Sequence, residues 1–276
     1  MKLPELLSPV GSEQALAAAV NNGCDAIYIG GKNFSARASA ENFTDERLKE
    51  IIAYAHLRGV KSYITLNTLY KDSELKGLLE FAARMYEYGA DAFIVQDIGA
   101  AAFIKQNFKG IKLHASTQMT THNAESAKFL YSIGFDRICL SRELSLEEIK
   151  AIKGEPDLKG LELEVFVHGA LCVSYSGQCT MSSIIGQRSG NRGRCAQTCR
   201  MPFELLKDNE PIESGYLLST KDIMSLGMLK ELCSIGIDSL KIEGRMRGAD
   251  YVSTTTKTYR AQLDKSLLGD YSVKSD

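Results

Sequence analysis

The sequence has no apolar run approaching the roughly 20 residues that a membrane span needs. It also has no excess of charge of one sign. Lys and Arg total 33 against 34 Asp and Glu, a net charge of −1. That balance excludes a general polyanion binder, so any nucleic-acid contact must come from a local patch. The opening residues, MKLPELLSPVG, have no signal-peptide layout. The default expectation is a cytoplasmic location and no membrane association. Several catalytic signatures are missing too: no Walker loop, no G-x-G-x-x-G, no H-E-x-x-H and no G-x-S-x-G. Nucleotide loops, a zinc-protease helix and a serine elbow therefore lack sequence support.

What is present is an ordinary globular composition, 44% apolar and 24% charged. At 276 residues the chain can bury a sizeable core, and α/β barrels of this size form one domain. Seven cysteines is an odd number. In a reducing compartment, clustered cysteines read as metal ligands or catalytic groups rather than disulfides. Cys24, Cys139 and Cys233 are scattered and read as small buried hydrophobes.

A short repeat gives the architecture. GCDAIYIG begins at Gly23, GADAFIVQD at Gly89, GFDRICLSR at Gly134 and GIDSLKIEG at Gly236. Each follows an amphipathic stretch and opens a β-branched, apolar run. The unit is a helix, a glycine that ends it in the left-handed region, an aspartate, then a buried parallel strand. Filling the gaps predicts strands at 5–8, 26–30, 62–68, 92–96, 112–117, 137–141, 162–168 and 239–243. Helices are predicted at 12–21, 45–58, 73–88, 99–107, 123–132, 146–153, 222–234 and 249–263. Thr44, Ser73, Asn123 and Ser145 read as start signals. Eight βα units make a (β/α)8 TIM-type barrel, with an open doubly wound sheet as the competing architecture. Residues 1–263 form one expected domain, with a cysteine-rich insertion at about 169–215 after strand seven. Residues 264–276 read as a polar tail.

Barrel chemistry sits at the C-terminal ends of the strands. Nearly every expected strand ends there in polar residues, among them Asn67, Gln96, Gln118, Arg142 and His168. In KIEGRMR, strand alternation puts Lys241 and Glu243 on one face. They read as a buried ion pair or as a functional pair. Arg245, just past the strand, can clamp a carboxylate or phosphate. His114 on strand five reads equally as core or catalytic, while His56 and His122 read as surface or packing groups. His168 is better placed, immediately before the cysteines. His168, Lys241 and Glu243 are the acid/base candidates.

The insertion holds Cys172, Cys179, Cys195 and Cys199, spaced Cys-x6-Cys, fifteen residues, then Cys-x3-Cys. Four thiolates hold structural zinc or an iron–sulfur cluster. The wide first spacing and the Gly/Ser surroundings suit a larger object than one ion, but zinc and free thiols stay open on spacing alone. Arg188, Arg192, Arg194 and Arg200 lie in the same segment. They either balance thiolate charge or grip an anion, such as RNA phosphates or a small dicarboxylate. The patch lacks the aromatic interleaving of a stacking platform.

FVHGALCVSYSGQC and SGNRGRCAQTCR resemble the signature of peptidase family U-32, the collagenase-like peptidases. The opening ELLSPVGSEQALAAAVNNGCDAIYIGG, STQMTTHN and DSLKIEGRMR are similar to the same family, so the resemblance spans nearly the whole chain. It implies a cluster, of 4Fe-4S type, on Cys172, Cys179, Cys195 and Cys199, with Cys199 the ligand that varies among relatives. It further implies oxygen-independent, prephenate-dependent hydroxylation at C5 of a pyrimidine in tRNA or rRNA. Arg142, Arg192, Arg194 and Arg245, with Asn67, Gln96 and Gln118, are then the expected substrate contacts. A metal-dependent peptidase is the alternative, and a non-catalytic partner of a longer homologue is the third reading. RNA-modifying relatives continue into further C-terminal domains, whereas this sequence stops soon after the eighth expected helix. It is expected to be part of a longer protein, or a short form that pairs with a longer homologue in a homo- or hetero-dimer.

Overall fold

Eight parallel strands close into a ring, which excludes the open doubly wound sheet. The computed structural model describes residues 3–37 and 40–267. In chain order the first half is β1 (Glu5–Pro9), α1 (Glu13–Asn21), β2 (Ala26–Ile29), α2 (Asp45–His56), β3 (Lys61–Leu66), α3 (Asp72–Glu87), β4 (Ala92–Val95) and α4 (Ile98–Asn107). The barrel continues with β5 (Lys112–Ala115), α5 (Ala124–Ser132), β6 (Arg137–Cys139), α6 (Leu146–Lys153) and β7 (Glu162–Ala170). A long excursion follows, holding α7 (Met181–Gly186), β8 (Phe203–Lys207) and β9 (Glu210–Gly215). The chain returns through β10 (Asp222–Met224), α8 (Leu229–Ile235), β11 (Ser239–Ile242) and α9 (Ala249–Leu267). Strands β1 to β7 pair in sequence, β7 pairs with β11, and β11 closes on β1, all parallel.

The repeat has a mechanical meaning. Gly23, Gly89, Gly134 and Gly236 all take positive φ, between 83° and 102°, where a side chain is strained. The aspartate two residues on then reaches back to the preceding strand. Asp25 accepts the Leu6 N–H at 2.7 Å, Asp91 that of Ser62 at 2.8 Å, Asp136 that of Leu113 at 2.9 Å and Asp238 that of Leu163 at 2.8 Å. Each staple ties an even strand of the ring to the odd strand before it. Each aspartate also meets a basic side chain from a neighbouring helix: Arg260, His56, Lys105 and Lys153 respectively. The four-fold repeat therefore marks two-strand units fastened at the end opposite the mouth.

Strand alternation sorts side chains between two cores. Outward residues such as Ile27, Ile64, Phe93, Leu113 and Leu240 pack under the helices. Leu7, Ala26, Tyr28, Tyr63, Ala92 and Ile94 form a smaller cluster inside the ring. Cys24, Cys139 and Cys233 are buried, as their composition predicts.

Four details differ from expectation. Asp222–Met224 is a strand, not the start of a helix, because it pairs antiparallel with His168–Ala170 at the end of β7. Helix α3 starts at Asp72, so Ser73 lies inside it rather than capping it, whereas Thr44, Asn123 and Ser145 do cap their helices. Helix α9 runs on to Leu267, which shortens the polar tail, and the rest of the expected tail lies outside the described residues. The insertion carries an exposed antiparallel hairpin, β8–β9, which has no clean period in the sequence.

Candidate active site

At the C-terminal mouth a cavity of about 200 Å³ opens between the strand ends and the excursion. Its walls include Cys172, Cys179, Cys195 and Cys199, together with Lys241, Glu243, Arg245, Arg142, Asn67 and Gln118. The sequence-predicted residues thus converge, with four exceptions. His168, Gln96, Arg192 and Arg194 do not line it.

The floor is ionic. Lys241 Nζ donates to Glu164 Oε1 at 2.8 Å, and Ser239 Oγ donates to Glu164 Oε2 at 3.1 Å. Arg137 lies 3.5 Å from Glu164 and 2.6 Å from Glu5, which extends the chain of charges down the barrel axis. Burial pushes the Glu164 carboxyl up, but Lys241 and Arg137 outweigh it and hold the group below its ordinary value. Lys241 also lies 4.7 Å from the centre of the Tyr28 ring and 5.4 Å from that of Phe166. Lys241 and Glu243 do face the same way, but they do not pair with each other. Each has a separate partner, because residues two apart on a strand diverge along it.

Glu243 pairs with Arg37 at 3.1 Å. Burial raises its carboxyl, and Arg37, Arg245 and Arg142 more than offset that, so it is held ionised. Arg245 donates to Ser35 Oγ at 2.6 Å and to Thr65 Oγ1 at 3.0 Å. Burial with Arg37 nearby lowers its guanidinium to about 10. It has no carboxylate within ion-pair distance among the described residues. Arg142 donates one N–H to Ala170 O at 3.0 Å and lies 5.4 Å from the Phe166 ring centre, while its buried Nε has no protein partner. Gln118 Oε1 is likewise buried without a partner. Both residues line the cavity, and each buried orphan atom is an unsatisfied polar group beside it.

The cysteine segment is fastened at several points. Glu143 accepts from both N–H and Oγ of Ser176, at 2.9 and 2.8 Å. Arg192 makes a bidentate pair with Glu74, at 2.9 and 2.6 Å, and donates to Leu69 O. Arg200 donates to the carbonyls of Leu171 and Thr220 and to Ser219 Oγ. Arg192 is therefore a latch rather than a substrate contact, and Arg194 is exposed outside the cavity. His168 is corrected as well. Strand β7 continues past it, and its ring packs 5.8 Å from Tyr251 and 5.6 Å from Tyr259 on α9. Burial lowers its imidazole and keeps it neutral there. Gln96 is buried just above β4, away from the cavity wall.

All four thiols of the insertion line the cavity. Met181 N donates to Cys179 Sγ and Gln197 N to Cys195 Sγ, both at 3.4 Å, and such bonds temper thiolate charge. Burial pushes the Cys199 thiol up, opposed by Arg200, with Cys172, Cys195 and Cys179 adding to the rise. Yet among the described residues no three His, Cys, Asp or Glu side chains converge on a point suited to a single ion.

Sequence reasoning missed Glu164, Arg37, Glu74 and Glu143. Glu164 had a signal, since Glu162 and Glu164 are charged residues at alternate positions of an otherwise apolar strand. The others lie in loops or on a helix and meet the site only through the fold.

A closed (β/α)8 barrel whose mouth carries a four-cysteine cavity is an enzyme scaffold. Its family follows from comparison: residues 11–275 match the model of peptidase family U32, and the chain belongs to that family. A 23S rRNA 5-hydroxycytidine synthase of Escherichia coli (strain K12) is 42% identical over 94% of this chain and 39% of its own length. The tRNA hydroxylation protein P1 of Bacillus subtilis (strain 168) is 34% identical over 95% of this chain and 64% of its own. A collagenase of Porphyromonas gingivalis (strain ATCC BAA-308 / W83) is 35% identical over 97% and 67%. The chain thus spans about two fifths to two thirds of the length of these relatives. Among solved structures, the U32 peptidase Mk0906 superposes with a TM-score of 0.61 at 14% identity, over 88% of this chain and 94% of that one, which supports the fold. Two of these three relatives are named for RNA hydroxylation and the third as a collagenase.

Proposed function

We propose that this chain is the barrel part of an iron–sulfur enzyme that hydroxylates C5 of a pyrimidine in tRNA or rRNA without molecular oxygen. The observation that carries the reading is one cavity walled on one side by four cysteines and on the other by Arg142, Arg245, Lys241 and Glu243. Cys172, Cys179, Cys195 and Cys199 would hold the cluster, of 4Fe-4S type. The wide Cys-x6-Cys spacing and the Gly/Ser surroundings favour it over zinc, whose sites use tighter pairs. When bound, such a cluster supplies Lewis-acid and one-electron chemistry. The chain's own residues then do the rest. Arg142 and Arg245 would bind the carboxylates of prephenate or a similar dicarboxylate. Glu243, kept ionised by Arg37, is the proton acceptor at the mouth, and Lys241 is a fixed cation at the floor. RNA meets the rim through exposed arginines, in the cytoplasm, with a longer homologue as dimer partner.

The test has two readouts. Anaerobically purified protein should be brown, with iron and sulfide in near-equal amounts, and serine at the four cysteines should remove both. RNA from a deletion strain, read by mass spectrometry, should lose a hydroxylated pyrimidine, and the wild-type gene but not the cysteine variants should restore it. Zinc alone in anaerobic protein would overturn the cluster. The collagenase relative motivates a second reading, a metal-dependent peptidase. Collagen cleavage that survives loss of all four cysteines, with RNA unchanged, would favour it.

A further inference from the structure

We propose that α7 is an apolar wedge that occupies the stacking space of a pyrimidine extruded from a folded RNA into the mouth cavity. This rests on the RNA reading above and goes beyond it by assigning a docking surface. Ile184 and Ile185 are consecutive on α7 and remain 79% and 67% exposed. Two adjacent isoleucines in water are out of place on a short helix whose other face is committed. Ser182, one turn away, is buried, lines the cavity and donates toward Cys195 Sγ while accepting the Ala196 N–H. The helix therefore joins the cavity to the outer surface, with its apolar tip outward.

The chemistry around that tip selects the occupant. From Leu171 to Phe203 the chain has no Asp or Glu, although it has 34 elsewhere. The same stretch has four arginines, of which Arg192 and Arg200 are tied down. Arg188 and Arg194 are exposed and make no ion pair among the described residues, and Arg188 Nε donates to Arg194 O, which draws the two together. A segment with no acidic residue of its own, two exposed arginines and an apolar tip is complementary to a polyanion with stackable faces. A basic or neutral protein partner would not need it. Enzymes that act on a base take it out of the stack, and apolar side chains fill or pry open base steps. C5 of a stacked pyrimidine cannot reach a cavity walled by Cys172 and Lys241 unless the base leaves its stack.

The experiment uses the full chain and two RNA hairpins that carry a fluorescent pyrimidine analogue, one unpaired in the loop and one paired in the stem. Binding is read by anisotropy, and extrusion by analogue brightness. The parent should bind both and brighten the paired analogue. The Ile184→Ala/Ile185→Ala variant should bind the loop hairpin within about twofold of the parent, but bind the stem hairpin roughly tenfold more weakly, without brightening. An Arg188→Gln/Arg194→Gln variant should weaken both hairpins alike and flatten the salt dependence. Equal affinity and brightness for the isoleucine variant and parent on the stem hairpin would overturn the wedge while leaving RNA binding intact. No binding of either hairpin by the parent would overturn the RNA reading itself. A parent that sediments as a dimer, against a monomeric isoleucine variant, would assign the face to a second copy and also overturn the wedge.

Discussion

At the scale of single residues, Glu164 governs the site more than any group named by motif. It is almost fully buried and bonds Lys241, Ser239 and Arg137 together. Removing Glu164 leaves Lys241 buried, charged and without a carboxylate, while Arg137 keeps Glu5, and breaking such a buried pair typically costs about 3–5 kcal/mol. Glu164→Gln should therefore lower the denaturant midpoint sharply, whereas Glu164→Met combined with Lys241→Met should recover much of the loss. A single variant within about 1 kcal/mol of the parent would show that the floor is not held this way. The pH dependence has a definite sign. The folded carboxyl lies below its unfolded value, so its contribution is complete above the unfolded value and disappears as pH falls through the folded one. A urea titration at stepped acidic pH reads this directly. The alternation of Glu162 and Glu164 on an apolar strand was visible in the sequence. The identity of their partners, Lys241 and Arg137, 77 and 27 residues away from Glu164, was not, because only the closed ring brings them together.

At the scale of elements, four of the eight strands were legible because the glycine–aspartate repeat is a local device, in which the glycine ends a helix and the aspartate staples the next strand to its neighbour, and the gaps between them placed the other four. The hairpin β8–β9 and strand β10 were not legible. The hairpin buries little, so no apolar alternation is imposed on it, and β10 is defined by its partner β7 rather than by its own three residues. The cysteine segment behaves as a strap, and its latch is testable. Glu74 holds Arg192 bidentately and also accepts the Lys71 N–H at the start of α3. Glu74→Gln keeps the second bond and loses the charge. Both side chains are about a third exposed, so the change in unfolding free energy should stay below about 1 kcal/mol. The strap itself should loosen: limited proteolysis between Cys179 and Cys195 should accelerate, and iron should be lost faster on chelator challenge. Unchanged rates of both would refute the latch. Arg192 holds the Glu74 carboxyl down at about 2, from an ordinary 4.5. The latch is therefore complete above 4.5 and opens only as pH falls toward 2, so the strap should show no change in protease sensitivity near neutrality.

At the scale of the whole molecule, the barrel and its cysteine excursion are separable in energetic terms. The main apolar core draws on every strand of the ring and on the helices around it, but its fully buried members include none between His168 and Met228. The excursion contributes a wall of the cavity, not a part of that core. Geometry makes its removal feasible, because Ala170 and Asp222 are direct antiparallel partners across β7 and β10. Residues 171–221 can then be replaced by a tight Asn-Gly turn, the connection that suits adjacent antiparallel strands. The shortened chain should keep the far-ultraviolet circular dichroism of an α/β barrel and unfold cooperatively. On the proposed reading it should bind neither iron nor sulfide and should lose RNA affinity. The charged floor would then open to water, so Lys241 should become reactive toward an amine-selective reagent that leaves it untouched in the parent. Collapse of the shortened chain to an unfolded spectrum would mean that the excursion stabilises the ring through its polar latches, and that cavity and barrel form one cooperative unit.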